Sequence, residues 1–171
     1  MRALLVLGLA LLAGVCPPAL SAQSGPDPRG RHHLDSLLTD QATALLERYG
    51  DTFYILGEYL DLTGTPYGMS ARARPPLDAA PDDWVDSLRA AFTDFRPQMR
   101  AAAYLVDRWR QLDSTRADST FVLFHFEDAA GNCYTSRRRY HWAPSGSVVW
   151  DPPLALPCRR ELWAGAPGVP H

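Results

Sequence analysis

The chain has 171 residues, a formal net charge of −2 and 46% hydrophobic residues, which is the composition of an ordinary globular protein with one domain. This charge excludes a nucleic-acid binder that works through bulk positive charge. All 17 basic residues are arginines, so chemistry that depends on a lysine, such as a Schiff base or a P-loop, is excluded as well.

The first 22 residues have the three-part pattern of a secretory signal peptide. Arg2 gives a short positive region, residues 3–16 are apolar, and small residues follow within residues 19–22. The apolar run is shorter than the roughly 20 residues that a spanning helix needs, so an uncleaved anchor is the less favoured alternative. We therefore expect a periplasmic or extracellular protein, with no membrane span once the signal is removed.

The cysteine content also favours a periplasmic or extracellular protein. Cys16 would leave with the signal; lipid attachment there is disfavoured, because Val15 and Pro17 depart from a bacterial lipobox. Cys133 and Cys158 remain, and a cysteine pair in an oxidising compartment usually forms a disulfide. Two free thiols are the alternative, and a catalytic Cys–His pair is less favoured than either.

The exported part is predicted to contain one domain between two loose ends. Residues 23–33 lack apolar side chains and contain glycines and prolines, which is typical of a disordered leader. Residues 164–171 resemble them and are predicted to be a flexible tail. The single folded domain is then expected to span residues 34–163.

The first half of this domain predicts a helix, a hairpin and a second helix. Apolar residues recur at helical spacing from Leu34 to Tyr49. Residues 53–62 are rich in aromatic and branched side chains, and residues 67–74 alternate in polarity, so together they predict a hairpin. Proline at position 81 suits the first turn of a helix that ends at Phe95.

The second half is predicted to be mostly strand. Residues 98–112 are ambiguous, because alanine and arginine favour a helix whereas the position between a helix and further strands favours a strand. Residues 120–127 are the clearest strand, a turn follows at 128–132, and 133–142 return as its partner. Residues 147–150 give a short last strand. The fold class is therefore predicted as α+β, an antiparallel sheet of about five to six strands with two helices packed on one face.

Two segments resemble small, largely uncharacterised bacterial α/β domains, some of them immunity-protein-like. One is Leu-Leu-Glu-Arg-Tyr-Gly at residues 45–50, followed by Phe-Tyr-Ile-Leu-Gly-Glu-Tyr-Leu-Asp at residues 53–61; Ile55 stands where those domains have proline. The other is Arg-Ala-Ala-Ala-Tyr-Leu-Val-Asp at residues 100–107, similar to their alanine-rich strand. The resemblance implies that residues 98–112 form mainly a strand, and it carries no functional residue across.

Few residue patterns indicate catalysis or a cofactor. His125 and Glu127 would share one strand face, and His141 could approach from the next strand, so three mixed ligands could hold zinc or copper. The spacing is generic, however, and a surface histidine beside a carboxylate is the favoured interpretation. No nucleophile elbow, P-loop or dinucleotide fingerprint occurs. We therefore expect no cofactor, no metal and no catalytic residue.

The segment from residue 134 to residue 142, Tyr-Thr-Ser-Arg-Arg-Arg-Tyr-His-Trp, is the most distinctive. As a strand it places Arg137, Arg139 and His141 on one exposed face. Arg138 joins Tyr134, Tyr140 and Trp142 on the core side, where we expect it either to pair with a carboxylate or to reach solvent along its aliphatic stem. Trp150 lies on the following strand. Arginine and aromatic side chains can bind an anionic or glycan ligand, so these four residues are candidate ligand-binding residues: Arg137, Arg139, His141 and Trp150. A solvated face that only pairs with the acidic half of the chain is the favoured alternative.

Together these patterns predict an exported, non-enzymatic binding or accessory protein. Its partner would be a protein or an anionic envelope polymer, and not a nucleic acid. One alternative is an exported hydrolase-like enzyme with a site that the sequence does not reveal. Another is an inhibitor or structural partner of a second exported protein.

Overall fold

The computed structural model describes residues 28–49, 55–71, 80–107 and 121–163, and the structural statements below refer to these residues. The predicted signal peptide (1–22), the first part of the predicted leader and the tail 164–171 lie outside them. None of the described helices combines the length and the apolar character that crossing a membrane requires.

The order of the elements, with two helices and runs of consecutive strands, is that of an α+β domain. Helix α1 spans Pro28–Tyr49 and helix α2 spans Pro81–Phe95, with a short 3₁₀ turn at Arg96–Gln98. The strands are β1 (Ile55–Asp61), β2 (Pro66–Met69), β3 (Met99–Asp107), β4 (Val122–Asp128), β5 (Cys133–Arg138), β6 (Tyr140–Trp142), β7 (Val148–Trp150) and β8 (Leu154–Leu156). The predicted fold class is confirmed.

Six of these strands form one antiparallel sheet in the order β2-β1-β3-β4-β5-β8. The hairpin of β4 and β5 sets His125 opposite Thr135 and Glu127 opposite Cys133. Its turn closes at Gly131, which has a positive φ of 97°, a conformation that favours glycine. Strands β6 and β7 form a separate two-stranded ribbon.

Helix α1 begins earlier than the sequence predicts. It starts at Pro28 rather than Leu34, so residues 28–33 of the predicted disordered leader are helical, and that part of the prediction is wrong. Proline is well suited to a first helical turn. The added turns also make tertiary contacts: Gly30 is buried, and the Arg31 guanidinium lies 4.4 Å from the centre of the Tyr134 ring.

The two helices cover opposite faces of the sheet, so the predicted packing on one face is wrong. Strand β3 alternates between the helices: Ala101, Ala103 and Leu105 join the core beneath α1, whereas the core beneath α2 takes the residues between them. Every residue of β3 from 101 to 107 is buried, and a strand without polar alternation needs cover on both sides. The ambiguous segment 98–112 is thus a strand over its described part.

The C-terminal segment, residues 157–163, extends the cover on the α2 face. Its Leu162 and Trp163 are buried and belong to the same apolar cluster as α2, and its backbone contacts Glu127 of β4. Residues 154–156 form the edge strand β8 on β5. The sequence did not indicate this strand, because the prolines around it are typical of loops.

The predicted strand 133–142 is broken at Arg139. Its second part, β6, pairs with β7. This ribbon packs against α1, where the Trp150 indole N–H donates to the Thr43 hydroxyl at 2.8 Å. Trp142 was expected to face the core but is 42% exposed. The break turns it away from the sheet.

Candidate functional site

The three consecutive arginines differ in environment as the strand alternation predicts. Arg138 is 8% exposed and donates to the Asp35 carboxylate at 2.6 Å and to the Thr39 hydroxyl at 3.0 Å, both on α1. Arg137 and Arg139 are exposed. The middle arginine therefore joins the sheet to α1, whereas its neighbours point away from the core.

Arg137 and Arg139 line one cleft where β5 ends and β8 begins. The cleft has a volume of about 410 Å³, and its other lining residues are Phe121, Arg138, Asp151, Pro152 and Leu154. The Asp151 amide donates to the Arg139 carbonyl at 2.9 Å, which fixes one wall. Within the described ranges, neither Arg137 nor Arg139 has a carboxylate within 4 Å.

The other two predicted ligand-binding residues lie outside this cleft lining. His141 is exposed, and its Nδ1 lies 3.5 Å from the Asp151 carboxylate, so it reaches the cleft through that residue. Trp150 is half-buried and its ring packs at a tilt against Tyr140, with the ring centres 5.4 Å apart, while its indole N–H is bonded to α1. The structure brings Arg137 and Arg139 together, places His141 at the rim, and assigns Trp150 to packing.

A buried polar cluster lies on the α2 face, where the sequence predicted a surface histidine. His125 is 2% exposed and Glu127 is fully buried. The Nε2 of His125 lies 2.9 Å from Glu127 Oε1, and its Nδ1 lies 2.9 Å from the Thr135 hydroxyl. His141 is on the separate ribbon, so the predicted three-ligand set of His125, Glu127 and His141 does not form.

Glu127 holds the C-terminal segment in place. Its carboxylate accepts the backbone N–H groups of residues 161, 162 and 163. Burial raises the pKa of Glu127, but the hydrogen bonds from His125 and from the Glu161 and Leu162 amides outweigh burial, so that the pKa lies below the usual glutamate value. The carboxylate is therefore ionised in the folded protein, although it is buried.

A second layer of polar contacts surrounds this cluster. The Tyr104 ring stacks on His125 at 5.0 Å, and its hydroxyl donates to Glu161 at 3.1 Å. Burial, and then the Glu161 carboxylate, raise the pKa of Tyr104 well above its usual value. Glu161 also pairs with Arg89 of α2, so the network runs from α2 across β3 and β4 to the C-terminal segment.

The predicted disulfide is confirmed, and it lies against this cluster. Cys133 and Cys158 are bonded with their Cα atoms 5.9 Å apart. The Sγ of Cys158 lies 3.9 Å from His125 Nδ1 and 3.1 Å from the Thr135 hydroxyl. The sequence analysis did not predict that the disulfide lies beside His125. The hairpin turn at 128–132 nevertheless fixes a register in which His125 and Glu127 face Thr135 and Cys133.

A second cleft, of about 530 Å³, lies at the β1–β2 edge of the sheet, and its lining includes Gln41 of α1 and Trp84 of α2. Glu58 of β1, only 5% exposed, contributes to its lining together with Gln41 of α1. The Gln41 amide donates to the Glu58 carboxylate. Glu58 is thus a buried carboxylate on the α1 face, and among the described residues its side chain has one side-chain hydrogen-bond partner, Gln41, in place of the set that surrounds Glu127.

Comparison of the chain with family models, with curated proteins and with solved structures finds no match. The resemblance to immunity-protein-like domains therefore stays a prediction.

Proposed function

We propose that the protein is a non-enzymatic binding protein that holds an anionic group of its partner between Arg137 and Arg139. The observation that carries this proposal is the pair of exposed guanidinium groups in one cleft, without a carboxylate partner among the described residues. Arg138, the buried arginine between them, is paired with Asp35. Two neighbouring cations without such a partner favour a ligand that brings the negative charge.

The chemistry of the cleft supports a carboxylate or phosphate as the bound group. A guanidinium presents a planar set of donors that can bind either group in a bidentate manner. Phe121, Pro152 and the exposed Leu154 add apolar surface beside the charges. A partner with an anionic group on a partly apolar backbone, such as an acidic protein segment or an envelope polymer, fits this combination.

We infer further that the protein acts outside the cytoplasm, in the periplasm or as a secreted protein. The signal-like pattern of residues 1–22 supports this, as does the disulfide, since such bonds persist in oxidising compartments. Mass spectrometry of the exported protein should find an N-terminus at Ala22 or Gln23. Recovery of a form that keeps Met1 would contradict export.

The two alternative functions, an enzyme and an inhibitor or structural partner, require different features of the structure. A hydrolase-like enzyme needs titratable groups that converge on an open cleft, and neither cleft described above is lined by His125 or Glu127. An inhibitor or structural partner of another exported protein would use the arginine cleft as well. It would differ from a polymer binder only in what co-purifies with the wild-type protein.

Titration with poly-L-glutamate at low and at moderate salt tests the proposal. We expect Arg137→Ala/Arg139→Ala to bind at least about tenfold more weakly than wild type, with a shallower salt dependence, because two charge-assisted contacts are lost. The matched control is Arg29→Ala/Arg48→Ala, which removes two exposed arginines of α1 and changes the net charge equally. Equal weakening in both variants would reduce the effect to net charge and would overturn the assigned cleft.

A further inference from the structure

The disulfide, His125 and Glu127 together have the composition of a metal site with its supporting carboxylate. One nitrogen of His125 and the sulfurs of Cys133 and Cys158 all lie within 4.8 Å of one another. The imidazole is buried and cannot turn freely, since both of its nitrogens have partners in Thr135 and Glu127. Two sulfurs and one imidazole nitrogen are the ligands that zinc prefers in proteins.

Glu127 determines which nitrogen of the imidazole is available. Both oxygens of this carboxylate already accept backbone N–H groups of residues 161–163, so at the 2.9 Å contact the Nε2 carries the proton and donates it. The lone pair is then on Nδ1, which faces the Thr135 hydroxyl and the Cys158 sulfur. Metal-bound histidines are usually held in this way, with a carboxylate accepting the proton of the nitrogen that does not bind the metal.

We propose that reduction of the Cys133–Cys158 disulfide converts this cluster into a zinc site, with two thiolates and the Nδ1 of His125 as ligands. A dithiol reductant supplies two electrons and two protons, the sulfur–sulfur bond breaks, two thiols form, and the reductant becomes a disulfide. Binding of Zn²⁺ then releases both thiol protons to the solvent. The fourth position is left for water.

The distances fit this conversion without a change of fold. Zinc–sulfur bonds of about 2.3 Å and zinc–nitrogen bonds of about 2.0 Å place tetrahedral ligands roughly 3.5 to 3.8 Å apart. The Cys158 Sγ already lies 3.9 Å from Nδ1, so the main movement is the separation of the two sulfurs. The disulfide and the zinc form exclude each other, since only the reduced sulfurs can become thiolates. The site shares no residue with the arginine cleft.

Titration of the reduced and the oxidised protein with Co²⁺ and then Zn²⁺ tests the proposal. The full chain carries Cys16→Ser, so that Cys133 and Cys158 are its only thiols, and the dithiol is removed before metal is added. We expect one Co²⁺ per reduced chain with thiolate-to-cobalt charge transfer, displacement by Zn²⁺, and a Zn²⁺-dependent rise in melting temperature. The oxidised protein should show none of these. Equal binding by both forms, or by a Cys133→Ser/Cys158→Ser variant, would overturn the site.

Two further measurements test the histidine. His125→Gln should weaken Zn²⁺ binding by at least about 10- to 100-fold, whereas His33→Gln, which alters an exposed histidine of α1, should leave it unchanged. NMR of the wild type with ¹⁵N-labelled histidine does not depend on the folding of a variant. Addition of Zn²⁺ should shift the Nδ1 resonance of His125 in the reduced protein alone. An unshifted Nδ1 would remove His125 as a ligand and with it the proposed site.

Discussion

The two faces of the sheet are closed by different kinds of interaction. Beneath α1, leucines of the helix pack on alanines, leucines and phenylalanines of the sheet, and the main ion pair, Arg138–Asp35, lies at the edge of that core. On the opposite face, α2 covers only part of the sheet, and the remainder is closed by residues 157–163 around the buried carboxylate of Glu127. The α1 face is held by apolar contacts, whereas the other face combines an apolar cluster with one buried carboxylate that has several partners.

This difference predicts where the molecule is sensitive. Apolar contacts are roughly additive and tolerate a change of shape that conserves volume. A buried carboxylate with several donors does not tolerate such a change, since replacing one acceptor oxygen leaves some of the buried donors unsatisfied. We therefore expect substitutions of similar size to have unequal effects on the two faces.

The largest effect is expected for Glu127→Gln. The amide keeps the shape of the side chain but loses the charge and turns an NH₂ group toward the backbone donors of residues 161–163, so the free energy of unfolding should fall by about 3 kcal/mol or more. The matched control is Glu58→Gln, a buried carboxylate on the α1 face with one side-chain partner, for which we expect about 1 kcal/mol or less. Urea unfolding of both variants measures the difference. Similar losses would mean that the two faces do not differ as described.

The next effect concerns the disulfide, which ties the same C-terminal segment to β5. A loop of 25 residues gives a chain-entropy contribution of about 3 kcal/mol. Cys133→Ser and Cys158→Ser should each lose about this amount, and the double variant should lose no more, because both positions belong to one bond. Denaturant unfolding of the non-reduced protein measures this. Additive losses, or two free thiols by mass, would argue against the bond.

A smaller effect is expected at the edge of the α1 face. Arg138→Met should lower the free energy of unfolding by about 2 kcal/mol, because Asp35 loses its cation but remains partly exposed to water. Arg137→Met alters the exposed neighbour in the same strand and should change stability by less than about 0.5 kcal/mol. Thermal melts of the two variants give the comparison. Equal destabilisation would mean that the two side chains do not alternate between core and solvent.

The smallest effect is expected from acid, since protonation keeps the carboxyl group of Glu127 in place. Its pKa is lower in the folded protein than in the unfolded chain, so the stabilisation is complete above the unfolded pKa and is lost as the pH falls through the folded one. Glu127→Gln should therefore show a flatter loss of melting temperature in acid than wild type.

Asp61 provides the control for the acid titration. Hydrogen bonds from the Thr63 side chain and then from the Thr65 backbone lower its pKa as well, so Asp61→Asn should also flatten the curve. Because Asp61 is exposed, that change should be the lesser of the two. A Glu127→Gln curve parallel to that of wild type would contradict the role of Glu127 in acid.

The sequence predicts the elements of this fold better than their arrangement. The alternation of Arg137, Arg138 and Arg139 follows from strand geometry alone, and so does their division between solvent and core. The sequence does not predict the face on which α2 packs. The segment around Ala102 shows neither a helical nor a strand-like alternation of polar and apolar residues. It is buried on both sides and therefore requires two covering layers. Strand β8 was missed because its pairing with β5 depends on a neighbour distant in sequence.

The two candidate sites also differ in how far the sequence predicts them. Arg137 and Arg139 could be found from local pattern, because exposure of alternate residues is a local property. The environment of His125 could not, since its partners include Cys158 and a carboxylate held by residues 161–163, more than 30 positions away. A buried polar pair is recognisable only when the segment that satisfies it is in place.

The dependence of Glu127 on residues 161–163 also sets an order of events during synthesis. When β4 and β5 emerge from the ribosome, Glu127 lacks the backbone donors that permit its burial, because the segment carrying them has not yet been made. We therefore expect this hairpin to reach its final packing only after residues 161–163, near the end of the domain, have been synthesised. Closure of the α2 face is therefore expected to be a late step in folding, because it depends on these three backbone donors.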